Sequence, residues 1–233
     1  MSAALSVPTA QGALYEIDTR LRPQGKQGPL AVSVEAFAKY QSESAWTWEH
    51  MALARARVLV GSDAARDAVE TVVSETLSKR RNPTELRKAI LEMRGEIVKH
   101  KHPRGAIDVK LLRGGLVDVE FLVHLLQLRC ANELAGQTPQ IVSADLMTAI
   151  KALAQHGLVS HKLAPAYDLL TAMLVASRLL APDGNQPPPA AAKALAHACK
   201  RTSYAELLDD LAVARADVSQ CWADLFDERL EIE

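Results

Sequence analysis

The residues best suited to chemistry stand near the start of the chain, in Leu14-Tyr-Glu-Ile-Asp-Thr-Arg-Leu-Arg22. Apolar and polar residues alternate there with the period of a strand, so Glu16, Asp18, Arg20 and Arg22 share one face, and Tyr15, Ile17 and Leu21 the other. A carboxylate on a rigid strand is the hard oxygen ligand that Mg²⁺ prefers, and two-metal phosphoryl or nucleotidyl transfer relies on such groups. Taken alone the pattern is weak, because many β proteins carry such a strand with its Asp in solvent. Arg20 and Arg22 stand beside Asp18, where their guanidinium forks can bind a triphosphate or hold a carboxylate in a salt bridge with Glu16 or Asp18. Further on, Gly114-Gly115 precedes a helix, and free backbone N–H groups at such a start favour anions. Asp118 and Glu120 in its first turn complement the helix dipole; facing an active site, they would instead hold Arg20 or a second Mg²⁺. His100 and His102, one residue apart among lysines, would bind a metal only on extended backbone and are read as solvated.

These residues need elements to hold them. Pro23-Gln-Gly25 breaks the first strand, Gly25-Lys-Gln-Gly28 turns the chain, and Pro29-Leu-Ala-Val-Ser33 is short enough to return as a second strand. From Ser33 onward the signals are helical. Ser33 is an N-cap, with Val34, Phe37 and Tyr40 or Gln41 on one face. A helix from Trp46 through Leu53 toward Val58 should stop at Gly61. Asn82-Pro83 with Glu85 combines a cap, an N1 proline and an acidic first turn for a helix through Ile97. Val117, Phe121, Leu125 and Leu128 track one face after Gly115. Other helices are expected near 143–156, 160–180, 189–200 and 203–228. The expected architecture is mainly α, a multi-helix bundle preceded by a short β-hairpin.

The chain has 233 residues, long enough for one sizeable core, and a formal net charge of −1 excludes a histone-like polyanion binder. Hydrophobic residues at 48% exclude a disordered chain. Eleven Gly and eleven Pro imply few turns and long elements. Cys130, Cys199 and Cys221 show neither CxxC spacing nor an even count, which points to a reducing compartment. With no basic n-region at the start and no uncharged run approaching the roughly 20 residues of a span, a cytoplasmic protein with no membrane partner is expected. Charge is uneven: residues 79–113 hold eleven Lys/Arg against four Asp/Glu, and 201–233 hold three against nine. A solvated helix face and an acidic tail that attract each other are the expected outcome. Aromatic residues at 4% give no stacking platform for RNA, so no nucleic-acid partner is expected.

In order along the chain stand Asp18-Thr-Arg-Leu-Arg-Pro23, Gly25 and Gly28, Trp46-Thr-Trp-Glu-His50, Ala54-Arg-Ala-Arg57, Asp108-Val-Lys110 and Gly114-Gly-Leu-Val-Asp-Val-Glu-Phe121. This string resembles the glutamine synthetase adenylyltransferase family, with specific motifs from about Leu14 to Arg129 and more loosely beyond. The resemblance implies an enzyme that modifies a tyrosine of glutamine synthetase with AMP from ATP in nitrogen control. Such enzymes carry two similar nucleotidyltransferase halves, one adding AMP and one removing it by phosphorolysis. Glu43-Ser-Ala-Trp-Thr-Trp-Glu-His50 looks like the C-terminal, adenylylating half.

Catalysis in the family depends on a Gly-Ser motif and an Asp-x-Asp pair on one strand, with a third carboxylate from a later strand. Asp18 matches the third carboxylate, which implies a catalytic and metal-binding role. The pair is not among the seventeen residues before Asp18, and Gly61-Ser-Asp63, followed by Asp67 at helical spacing, reads as a helix start. The resemblance therefore implies the C-terminal portion of such an enzyme. Residues 1–32 would be the last strands of a nucleotidyltransferase catalytic domain and 33–233 a helical bundle domain, inactive by themselves. Mg²⁺ and ATP are the implied cofactors of the complete enzyme. Arg20, Arg22, Arg55, Arg57, Lys110, Asp118 and Glu120 are candidates to contact them. Trp46 and Trp48 can stack on adenine, although burial of both indoles in the core is the commoner arrangement. A second reading is a non-catalytic helical module that binds glutamine synthetase or a PII-type signalling protein. A third is the helical region of a PII uridylyltransferase, against which the tryptophan-rich segment argues.

Overall fold

The computed structural model describes residues 7–12, 22–134, 136 and 138–232. Among the described residues nine α-helices follow one another: α1 Val34–Glu43, α2 Thr47–Leu53, α3 Asp63–Ser78, α4 Pro83–His100, α5 Leu116–Leu134, α6 Leu146–Gln155, α7 Leu163–Leu180, α8 Pro189–Ala198 and α9 Tyr204–Phe226. Most start where short polar side chains accept from the freed backbone N–H groups of the first turn. Ser33 accepts from Ala36 N, Ser62 from Ala65 N, Asn82 from Thr84 N and Glu85 N, Asp145 from Thr148 N, and Ser203 from Glu206 N.

The expected hairpin is not seen among the described residues. Its first strand is expected in 14–22, of which 14–21 lie outside the described residues. The turn is a 3₁₀ segment, Gly25–Gln27, and residues 29–33 run without strand pairing into the Ser33 cap. Pro29 has no N–H for a ladder, and the Gly28 carbonyl accepts instead from Arg22 Nε at 3.4 Å. Among the described residues β pairing is confined to an isolated Thr9–Gly12 bridge.

The expected helix from Trp46 to Gly61 is also shorter, ending at Leu53. Arg55 N bonds back to Ala52 O, and the Val58 carbonyl accepts from Arg66 of α3 at 3.1 Å, which draws the β-branched stretch Val58-Leu-Val60 out of helical register. Gly61 therefore leads into the Ser62 cap of α3 rather than closing α2. The bend leaves Leu59 and Val60 exposed.

The core is built around α5, which is largely apolar and packs against α2, α3, α4, α6, α7 and α9. Val119, Leu122, Val123 and Leu126 have no exposed surface. The polar residues of α5 are satisfied inside: Gln127 donates to the carbonyls of Ile141 and Ser143 at 2.8 and 3.1 Å, and accepts from His124 at 2.8 Å. α7 is the described helix long and apolar enough to cross a membrane, with a hydropathy of 1.3 over 18 residues, and it packs against α8 and α9 here. The basic and acidic stretches meet where Arg87 Nη1 pairs with Asp227 Oδ2 at 2.6 Å.

The start of α5 is set by one ion pair. Arg94 of α4 donates from Nε to Asp118 Oδ1 at 2.6 Å and from Nη2 to Oδ2 at 3.3 Å, with Asp118 at 0% and Arg94 at 2% exposure. Asp118 Oδ2 also accepts from Gly114 N at 2.7 Å. Gly114 has φ +75, and a Cβ there would sit 2.5 Å from Arg215 O of α9, so both the conformation and the close approach require glycine. The anion that meets the Gly114 amide is thus the chain's own carboxylate. Replacing Asp118 by Asn would leave the Arg94 charge buried without its counter-ion, and unfolding in denaturant should show a loss of about 3–5 kcal/mol. Glu120→Gln, at a pair whose members are 33% and 56% exposed, should cost at most about 1 kcal/mol. Equal, small losses for the two variants would remove Asp118 from the structural role.

Candidate functional site

The corner between α1 and α2 forms a cleft of about 420 Å³ lined by Arg22, Phe37, Gln41, Trp48, Glu49 and Arg55, among others. Glu49 shapes it. One carboxylate oxygen accepts from Trp46 N at 2.9 Å, the acidic half of a capping box, and the other accepts from Tyr40 Oη at 2.8 Å. Both bonds follow from spacing, since Glu49 is the third helical residue of α2 and Tyr40 lies in the last turn of α1.

Beneath the corner, Arg81 joins three helices. It donates to the carbonyls of Thr76 at 2.7 Å and Leu77 at 3.0 Å at the end of α3, where the helix leaves carbonyls without partners. Its Nη2 also lies 3.3 Å from His50 Nδ1 of α2, and Nη1 is 3.5 Å from Leu128 O of α5. Because Arg81 only donates, His50 Nδ1 accepts and Nε2 donates to Gln41 O at 3.1 Å. Burial, assisted by Arg81 and Lys79, lowers the His50 pKa.

The candidate residues separate. Arg22 and Arg55 line one cleft, and Arg55 Nη1 pairs with Glu120 Oε2 at 3.3 Å, which ties the cleft to α5. Arg57 lines the adjoining cavity of about 590 Å³ with Phe37, Val58 and Val73. Lys110 lines a different cavity, beside α7. Asp118 is enclosed with Arg94, so its carboxylate faces neither cavity. Asp18 and Arg20 lie outside the described residues. His100 is exposed and within 3.4 Å of Glu96, a solvated helix pair as expected.

The two tryptophans are not core residues. Trp46 is 70% exposed and Trp48 37% exposed, and Trp48 forms part of the cleft wall. The short α2 has one buried face, and His50, Met51 and Leu53 occupy it. The cleft also draws on Gln41 and Glu49, which carry no candidate site role in the sequence. Gln41 is buried, lines the cleft, and has an Oε1 with no hydrogen-bond partner among the described residues. Its place on the Val34–Phe37 face was the one available signal.

The arrangement offers two guanidinium groups and an indole around one cavity, a set suited to an anion with an attached ring. It does not suit a Mg²⁺ ion. Among the described residues no three His, Cys, Asp or Glu side chains cluster as ligands. The nearby carboxylates are occupied, Glu49 by Trp46 and Tyr40, and Glu120 by Arg55.

The chain is similar to a known group of proteins. The family profile of glutamate-ammonia ligase adenylyltransferases matches residues 1–72, which include Asp18, Arg22, Trp48 and Arg55. A bifunctional glutamine synthetase adenylyltransferase/adenylyl-removing enzyme from Rhizobium meliloti (strain 1021) is 40% identical over 208 residues, 88% of this chain and 21% of the relative. The proteins of the same name from Agrobacterium fabrum and Brucella suis biovar 1 are 47% and 48% identical over 126 and 122 residues, 54% and 52% of this chain and 13% and 12% of theirs. The chain therefore spans about a fifth of the first of these relatives.

Below the cleft, burial drives the His124 pKa from 6.5 to about 4, with Arg55 adding to the depression and the Gln127 bond opposing it. The unfolded chain binds this proton more readily than the folded one, so His124 lends its full stability above pH 6.5. That contribution is lost as pH falls from 6.5 toward 4, by up to about 3 kcal/mol. Denaturant unfolding of the native chain and of His124→Gln at pH 7 and pH 4.5 should show a smaller pH dependence in the variant. An identical dependence would mean that His124 is not the responsible group.

Proposed function

Because the chain belongs to the glutamine synthetase adenylyltransferase family, we propose that its 233 residues form the helical part, with the adjoining catalytic strand, of an enzyme that transfers AMP from ATP to a tyrosine of glutamine synthetase. The observation that carries this reading is the convergence of Arg22, Arg55, Trp48 and Gln41 on one cleft, directly after the segment that holds Asp18. In this reading Arg22 and Arg55 take the negative charge of the nucleotide's phosphates, and the Trp48 face holds its base. Glu120 positions Arg55 and Glu49 positions the α2 end that carries Trp48. Asp18 supplies one of the carboxylates for the divalent ion that lowers the charge on the α-phosphate. Arg20 is a further candidate contact for the nucleotide, and Arg57 remains a phosphate contact of second rank. Residues 1–32 belong to the catalytic domain and 33–233 to the helical domain.

A second reading, a helical module that docks on glutamine synthetase or on a PII-type signalling protein, is favoured by one observation. Trp46, Leu59 and Val60 are exposed side chains around the same corner of the fold. In that case the corner recognises a protein surface rather than a nucleotide.

Assays of the isolated chain and of single variants test these readings. Residues 1–233 assayed alone with labelled ATP, Mg²⁺ and glutamine synthetase should transfer no AMP, because they hold one of the three carboxylates that the chemistry uses; steady, Asp18-dependent transfer would overturn the reading. In an enzyme of full family length carrying this segment, Asp18→Asn should lower turnover by several powers of ten and leave stability within about 1 kcal/mol. Arg55→Gln should raise the KM for ATP about tenfold. Unchanged KM and turnover in both variants, with weakened capture of glutamine synthetase in Trp46→Ala, would select the docking module.

A further inference from the structure

On the side of the bundle formed by α4 and α7, the loop 101–113 and the turn after α7 enclose a cavity of about 370 Å³. Its rim carries four cations, Lys101, Arg104, Lys110 and Arg178. None of the four is in an ion pair or donates a side-chain hydrogen bond among the described residues. The floor is apolar, made by Ile97, Ile107, Val109 and Leu174.

Helix dipoles account for half of this charge. Lys101 caps the C-terminus of α4 and Arg178 sits in the last turn of α7, where cations are favoured. Arg104 and Lys110 lie in the loop and at no helix C-terminus, Lys110 instead beside the start of α5 where its carbonyl accepts from Val117 N at 3.2 Å, so the helix dipoles do not account for them. Asp108, the single carboxylate of the lining, is turned into its own loop, accepting from Arg104 N at 3.0 Å and from Lys110 N and Leu111 N at 3.3 Å. It shapes the loop instead of neutralising the rim.

The wall is rigid. Ile107 N donates to Gly184 O at 3.0 Å, and a Cβ on Gly105 would stand 2.3 Å from the same oxygen, so the loop is pressed onto the α7–α8 turn. A pocket that is held in shape, cationic at its mouth and apolar at its base suits an anionic group joined to a small apolar body. We propose that this cavity binds a small phosphate monoester, the phosphate on Arg104, Lys110, Lys101 and Arg178 and its organic part on the apolar floor. The site is separate from the cleft of Arg22 and Arg55, and its occupation does not depend on AMP transfer.

Calorimetric titration of the 233-residue chain with phenyl phosphate, inorganic phosphate and phenol tests the proposal. Phenyl phosphate should bind saturably and more tightly than either fragment. The Arg104→Gln/Lys110→Gln variant, altered only at exposed side chains, should bind it about tenfold more weakly or worse, with an unchanged melting point. Tryptophan fluorescence should not move, since no tryptophan lines this cavity whereas Trp48 lines the other cleft. Absence of saturable binding, equal affinity in the double variant, or loss of binding in Arg55→Gln instead would overturn it.

Discussion

A carboxylate with no exposed surface, Asp118, sets the geometry of this bundle. A buried charge is tolerable only when its lone pairs are used, and Asp118 uses them on the fork of Arg94 and on the amide of Gly114. Three parts of the chain are joined as a result: α4 through Arg94, the glycine turn, and α5. α9 closes on the same place, because Arg215 donates to Arg113 O at 2.8 Å and its backbone leaves no room for a Cβ at Gly114. With the start of α5 held there, the apolar remainder of that helix can serve as the axis on which the other helices pack.

The candidate cleft depends on that axis from a distance. Glu120, two residues after Asp118, lies at the level of Arg55 and pairs with it. One turn later His124, and then Leu128, come under the corner of α1 and α2, where Arg81 gathers α3 and His50. The cleft is therefore not a feature of the short α2 alone. Seven residues of helix cannot hold a shape by themselves, and this one is fixed by Glu49 at its start, His50 in its middle and Arg55 just past its end.

Electrostatics divides the molecule into regions with different duties. Arg94 and Asp118 are sealed and structural, Arg55 and Glu120 half open, and the four cations beside α7 open and without counter-ions among the described residues. The same residue types thus do three jobs according to their access to water. Burial makes a pair costly to break, and exposure leaves charge available for a ligand.

Local signals were enough for the helical character, for the caps Ser33 and Asn82 and the helix start at Ser62, and for the family resemblance carried by the motifs from Asp18 to Phe121. Each of these depends on neighbours within a few residues, where spacing on a helix or the chemistry of a cap decides the outcome. The early end of α2, the exposure of Trp46 and Trp48, and the unpaired run 29–33 were not legible, because they turn on which distant group claims a backbone carbonyl or a helix face. The fate of Asp118, Glu120 and Lys110 was decided in the same way. Sequence placed Asp118 and Glu120 together in a first turn as one kind of candidate, and tertiary packing separated them, since on a helix residues two apart point in different directions. One met Arg94 in the core and the other met Arg55 at a cleft, while Lys110, grouped with the arginines by its charge, was carried by its loop to another face of the protein.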